Sequence, residues 1–229
     1  MPLERSHEIA VTQAHGSLDE WGVRVSPSGP GYQVLHFFTL TRQKGKNMSA
    51  LNFVAVPHEV VRWSIDTGDS FENFRARYEA AVPVLDIDRM TQLRNERTSW
   101  DTVLAAAAEN APHGFMRFWS TDVGATMRLA GNPGFCATYL MGNHTIAERM
   151  YRHDPAVMLY APLRTTIHQD REGTTLFCID QPSTRFSSFD SPDIGAVGEE
   201  LDRKVVNLLR VLEVTVPPAL YAAAENASE

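Results

Sequence analysis

Apolar positions in this chain recur at two spacings, and the changes from one spacing to the other mark out its elements. Val60-Val-Arg-Trp-Ser-Ile-Asp66 alternates as a half-buried strand does, with Val61, Trp63 and Ile65 on one face. Gly68 and Asp69 break the alternation. Asp69 or Ser70 then stands at a helix N-cap, with Glu72 or Asn73 at capping-box distance. Phe71, Phe74, Tyr78 and Ala81 step by three and four, which gives that helix one apolar, aromatic face until Pro83 ends it. Two short helices follow. The spacing over 86–94 turns Ile87, Met90 and Leu93 inward, and that over 99–110 turns Trp100, Val103, Leu104 and Ala107 inward.

Pro112-His113-Gly114 stops the third helix and opens a strand over 115–120. A short helix over 122–129 closes at Gly131-Asn-Pro133, and a strand from 135 runs out at Gly142. Asn143 is a good N-cap for a helix over 145–152, which Asp154-Pro155 ends. An apolar strand over 158–164 follows, continuing into a hairpin of 164–169 and 174–180 around Asp170-Arg-Glu-Gly173. Residues 181–189 read as an irregular loop. Ser191-Pro192 then opens a long helix, Ser at the N-cap and Pro at the first helical position. Its apolar stripe is Ile194, Val197, Leu201, Val205, Leu208, Leu209 and Leu212. The order predicts an α+β fold: a largely antiparallel sheet with helices packed on one face, built as a ferredoxin-like βαββαβ core plus an extra strand and a C-terminal helix.

Residues 1–47 fit this order less well. They hold Ser26-Pro-Ser-Gly-Pro-Gly31, a strand-like Gln33-Val-Leu-His-Phe-Phe-Thr-Leu40 and the basic run Arg42-Gln-Lys-Gly-Lys46, without partner segments for a domain. Two readings stand side by side. One is a loosely ordered extension. The other is a mis-assigned start: Lys44-Gly-Lys-Asn47 before Met48 can be written in purine-rich codons, as suits a bacterial ribosome-binding site. N-terminal sequencing of protein from its own host separates them, and a start at Met1 removes the second. The expected organisation is an extension over 1–47, a single α+β domain over 48–216 and a flexible Ala-rich tail over 217–229.

Composition narrows the partners. With 229 residues, 43% of them hydrophobic, the chain is long enough for a sizeable core. A net charge of −7 argues against nucleic acid and anionic membrane surfaces, both of which need a basic face. No apolar run approaches the roughly 18–20 residues that span a bilayer, and the N-terminus lacks the apolar core of a signal peptide. Cys136 and Cys178 lie in predicted strands and read as free buried thiols, so a reducing, cytoplasmic location is expected. No Cys and His pair has zinc-ligand spacing.

The candidate chemistry gathers between Tyr139 and His168. The start of the helix after Asn143 offers free N–H groups, a capping site first and an anion site second. A helix N-terminus depresses the pKa of His144, favouring a neutral ring that accepts a proton or binds a metal. His153 falls in the last turn of the same helix, too far from His144 to share one metal, with Asp154 beside it either to fix its tautomer or to begin the turn. Trp119 and Tyr139 line a flat pocket if their strands are neighbours, or else pack against the helices. Arg164 either pairs with Asp180 across the hairpin or acts as a carboxylate clamp beside Tyr160. The sequence contains no phosphate loop, nucleophile elbow or His-Glu-x-x-His motif.

Gly142-Asn143, Ala147, His153-Asp154-Pro155, the run Met158-Leu-Tyr-Ala-Pro-Leu-Arg164, the Gly-containing hairpin, Asp180-Gln-Pro182 and the final amphipathic helix come in the order typical of one family. Over roughly 113–213, with the strand and helix at 60–82 as its start, the chain resembles the domain of unknown function 302 family. The resemblance implies a compact α+β domain that often appears as a dimer, and it implies no established reaction. The chain departs from the pattern at Gln181, between Asp180 and Pro182, at His144 and His153, and in the helical insert near 86–110.

Three functions are weighed. The first is a homodimer binding a small aromatic or anionic molecule through Trp119, Tyr139, Asn143, His144, His153, Tyr160 and Arg164, with no catalytic or metal residue assigned. The second is an enzyme or a metal- or haem-containing protein using His144, His153 or His113. The third is a structural or regulatory dimerisation module whose C-terminal helix forms the interface. The cofactor is unknown in all three. Convergence of Trp119, Tyr139, His144, Tyr160 and Arg164 on one pocket favours the first two, and separation favours the third.

Overall fold

The computed structural model describes residues 54–216 together with 218 and 220. The proposed extension over 1–47, its strand near 33–40, the alternative start at Met48 and most of the tail lie outside the described residues. The elements run β1 (Arg62–Asp66), α1 (Phe71–Ala81), α2 (Ile87–Asn95), α3 (Trp100–Asn110), β2 (Met116–Asp122), α4 (Val123–Arg128) and β3 (Cys136–Gly142). The chain continues through α5 (His144–Tyr151), a 3-10 turn (Pro155–Leu159), β4 (Leu163–Gln169), β5 (Thr175–Asp180), α6 (Pro182–Phe186), a second 3-10 turn (Ser187–Phe189) and α7 (Pro192–Val211). This is an α+β fold, with a five-stranded antiparallel sheet, seven helices among the described residues and a long C-terminal helix.

The strands lie in the order β1-β5-β4-β3-β2, every neighbouring pair antiparallel. Four antiparallel steps leave β1 and β2 parallel to each other, with the other three strands between them. The ferredoxin-like arrangement also holds a parallel pair apart, but by a single strand. The second half departs from that arrangement, because β3 and β4 are direct antiparallel neighbours. Met141 pairs with Leu163, so α5 and the 3-10 turn carry the chain away from one end of the sheet and back to it. The extra strand β5 lies inside the sheet, next to β1.

One face of the sheet carries the core. Trp63 and Ile65 of β1, Ala137, Tyr139 and Met141 of β3, Leu163 and Ile167 of β4, and Phe177 and Ile179 of β5 are all buried on it. Against them pack the predicted face of α1 (Phe71, Phe74, Tyr78, Ala81) and the predicted stripe of α7 from Ile194 to Leu212, every member buried. Ser70, Ser99, Asn143 and Ser191 cap α1, α3, α5 and α7 with their side chains, as the sequence leads one to expect. No helix among the described residues covers the opposite face.

Several expectations are corrected. Val61 is exposed because the ladder begins at Arg62. Ile87, Trp100 and Leu104 also face solvent: α2 and α3 lie beyond edge strand β2 and bury mainly Leu93 and Ala107. In the expected strand over 158–164, Met158 and Leu159 belong to the 3-10 turn and the ladder begins only at Leu163, since Asp154 accepts from Ala156 N at 2.8 Å and winds the chain at Pro155. The expected loop over 181–189 holds α6, whose cap comes from α7 (Ser183 N donates to Asp202 Oδ1 at 2.9 Å), a tertiary partner that local pattern does not reveal. Cys136 and Cys178 are free, and half-buried rather than buried. Strand β4 separates them, which places them beyond the reach of a disulfide.

Candidate functional site

Two clefts meet at the end of the sheet where β3 ends and β4 begins. Gly142 is the pivot. A Cβ there would come within 3.2 Å of Pro162 Cβ, a tight contact that glycine avoids, so β3 ends close against Pro162. Asn143 then takes two jobs. Its Oδ1 accepts from Thr145 N at 3.0 Å and from Thr145 Oγ1 at 2.7 Å, capping α5, while its Nδ2 donates to the Gly114 carbonyl at 3.2 Å and ties the helix to the turn before β2.

His144, the first residue of α5, lines a cleft on the helix side of the sheet. The cleft has a volume of about 180 Å³, and its walls are almost wholly apolar: Phe118, Ile146, Ala147, Met150, Met158, Pro162, Leu163, Phe186 and Leu201. The Nε2 atom of His144 is buried and has no hydrogen-bond partner among the described residues. Burial lowers the pKa of the ring below its ordinary value, so the imidazole is held neutral. On another side His144 borders a more polar hollow between α2 and α3, lined by Asp86, Arg89, Glu109 and Asn110.

The second cleft lies on the open side, with a volume of about 420 Å³, bounded by Leu140, the 158–163 segment, Arg164, Asp180 and Arg185. Tyr160 and Arg164 are both part of it. Met158, Ala161, Pro162 and Leu163 belong to both clefts and form the partition between them. Arg164 does not pair with Asp180, whose carboxylate is taken by Arg185 at 2.5 Å and approached by Arg62 at 3.9 Å.

The remaining candidates lie elsewhere. Tyr139 is fully buried in the core, its ring centroid 4.8 Å from that of Tyr78 with the planes tilted by 54°, and its hydroxyl donates to Glu79 Oε1 at 2.9 Å. Burial, followed by the neighbouring carboxylate, holds that hydroxyl protonated far above its usual range. A bulge between Arg117 and Trp119 leaves Trp119 on the open face, 51% exposed and paired with Leu140, while Phe118 turns to the His144 cleft. His153 is exposed, with Nδ1 3.7 Å from Asp193 at the start of α7, and Asp154 serves as the cap of the 3-10 turn. His113 is exposed in the turn before β2. Among the described residues no three or more His, Cys, Asp or Glu side chains come together closely enough to hold a metal ion.

The structure thus brings Asn143 and His144 together in one cleft and Tyr160 and Arg164 in the other, and Trp119, Tyr139 and His153 in neither. Two groups escape sequence reasoning. Arg185 sits in a stretch without periodicity, and only the turn of α6 returns it to Asp180. Arg117, opposite buried Met141 in the ladder, donates from Nε to Val82 O at 2.7 Å and from Nη2 to Glu79 O at 3.2 Å, partners that local pattern does not reveal.

An antiparallel α+β domain whose hairpin and long closing helix flank a Gly-Asn strand exit defines the class of protein. Residues 92–212, more than half of the chain, match the family described as "Domain of unknown function DUF302", and the chain belongs to that family. Among solved structures, it is similar to an uncharacterised conserved DUF302 protein from Bacillus stearothermophilus, with a TM-score of 0.48 and 14% identity over 66% of this chain and 97% of that one. No curated protein matches the chain. Among the described residues no helix is long and apolar enough to cross a membrane.

Proposed function

We propose that this domain binds a small molecule with an aromatic body and one hydrogen-bonding group in the cleft beside His144, and that it does so as a homodimer. The observation that carries the reading is the unpartnered Nε2 of His144, buried beside an otherwise apolar cavity. A buried ring nitrogen without a partner costs about 1–3 kcal/mol, and a ligand hydroxyl would supply that partner. The volume of about 180 Å³ also suits a single ring, given that an apolar cavity of about 150 Å³ holds benzene. Because burial keeps the imidazole neutral, the ring can accept from an O–H at Nε2 while protonated at Nδ1.

Phenol and benzene serve as probes, followed by the methyl signal of Met150. Wild-type protein is expected to prefer phenol by about fivefold to tenfold, the worth of one hydrogen bond. His144→Phe should abolish that preference while benzene still binds. Equal preference in both proteins would refute the assignment. For the homodimer, the apolar stripe of α7 is already buried within its own chain, whereas Trp119 stands half-exposed on the sheet face that no described helix covers. Sedimentation should therefore give a dimer for the wild type and a monomer for Trp119→Glu; a monomeric wild type removes this part of the reading.

A further inference from the structure

We infer that the open-side cleft is a second, separate binding site, one for small carboxylates that carry an apolar body. Register sets out one row of side chains across this end of the sheet. Arg62 pairs with Asp180 on one side, and Arg164 pairs with Leu140, which pairs with Trp119, on the other. Thr165 pairs with Ile179, which sets Arg164 and Asp180 beside each other as well. Asp180 is nevertheless committed elsewhere, with Oδ2 accepting from Arg185 Nη2 at 2.5 Å and Oδ1 facing Arg62. Arg164 is exposed, and no carboxylate among the described residues lies within ion-pair distance of it.

The second guanidinium is held in place. Arg185 is fixed by Asp180 and lies over the Tyr160 ring, 5.0 Å from its centroid, so little freedom remains for it to lose on binding. Two arginines against one carboxylate leave the lining with a net positive charge, in a chain whose formal charge is −7. A guanidinium presents a planar fork that fits a carboxylate with two parallel N–H bonds. Around that pair the walls are Leu140, Met158 and Leu159, which suit an apolar or aromatic body rather than a bare ion.

This inference does not rest on the His144 reading, and the two fail separately. The test uses the full chain with benzoate, its neutral isostere benzamide and inorganic phosphate, followed by the methyl signals of Leu140 for this cleft and Met150 for the other. Benzoate is expected to shift Leu140 saturably, to bind about tenfold or more tighter than benzamide, and to weaken with added salt. Arg164→Gln, a change at an exposed position, should lower benzoate affinity about tenfold and leave phenol binding at Met150 unchanged. Equal affinity for benzoate and benzamide, or an Arg164→Gln protein that binds benzoate as the wild type does, overturns the inference. Phosphate binding as tightly as benzoate overturns the ligand class.

Discussion

Asp202→Ala is expected to destabilise the domain by about 3–4 kcal/mol, the largest effect of any single side-chain truncation outside the apolar core. Asp202 lies on α7 with 1% of its surface exposed. Its carboxylate accepts from Gln181 Nε2 at 2.6 Å, from Ser183 Oγ at 2.6 Å and from Ser183 N at 2.9 Å. The last bond caps α6, which has no side-chain cap of its own. Alanine leaves three donors facing a dry gap, each at a cost of roughly 1 kcal/mol or more. Asn keeps the shape and one acceptor, so Asp202→Asn should cost about half as much, and urea denaturation ranks the three proteins. An alanine variant within 1 kcal/mol of wild type, on the order of a single neutral hydrogen bond, would show that water reaches these donors.

The same group sets a pH dependence of unusual sign. Burial raises the Asp202 pKa above its ordinary 3.8, and the three donors only partly offset it. The folded state therefore holds this proton at pH values where the unfolded chain has released it. The contribution of Asp202 is greatest at and below pH 3.8, and it declines as pH rises through the folded value. Asp202→Asn should remove this decline from a stability-versus-pH profile. Glu79 works in the opposite direction: burial would raise its pKa, but the hydrogen bonds from Arg75 and Tyr139 outweigh burial and lower it. Its contribution is lost on acidification.

Gly124→Ala should also destabilise, by about 2–3 kcal/mol, although in a helix this exchange ordinarily stabilises by about 1 kcal/mol. Gly124 is in the first turn of α4, where an added Cβ would stand 2.6 Å from Cys136 N and 3.0 Å from Gly134 O. Both are backbone atoms at the entry to β3, so relief requires moving the strand itself. Gly195, in the first turn of α7, is the control, because nothing lies within 4 Å of its added Cβ. Gly195→Ala should raise the melting temperature where Gly124→Ala lowers it. A shift of the same sign in both would mean that helix propensity, rather than the approach of β3, decides at Gly124.

These positions also mark how far the sequence can be read. Periodicity located α1 and α7 face by face, because each element buries one stripe against one sheet and nothing competes with that signal. It erred at Ile87, Trp100 and Leu104, which are apolar and correctly spaced but belong to helices beyond the edge of the sheet, where little surface remains to cover them. The Gly142-Asn143 exit was legible through local chemistry, namely a strand-ending glycine and a cap, while its close approach to Pro162 was not. The two clefts were not. The His144 cleft depends on Phe118 turning at a bulge and on Phe186 from a helix capped by α7, and both are tertiary events. Asp180 likewise could be placed opposite Arg164 by register alone, yet its actual partner is five residues further along the chain.

The pairing of β1 with β5 fixes the order in which this protein can be completed. Thr67 Oγ1 donates to the Thr175 carbonyl across 108 residues of chain. Among the described strands β1 is synthesised first, and its neighbour β5 is synthesised last. Strands β2 to β5 can assemble sequentially, each onto the one before, while β1 waits without its strand partner. During synthesis β5 becomes available to pair with β1 only when the final hairpin emerges, so this long-range pairing is expected to close late in folding.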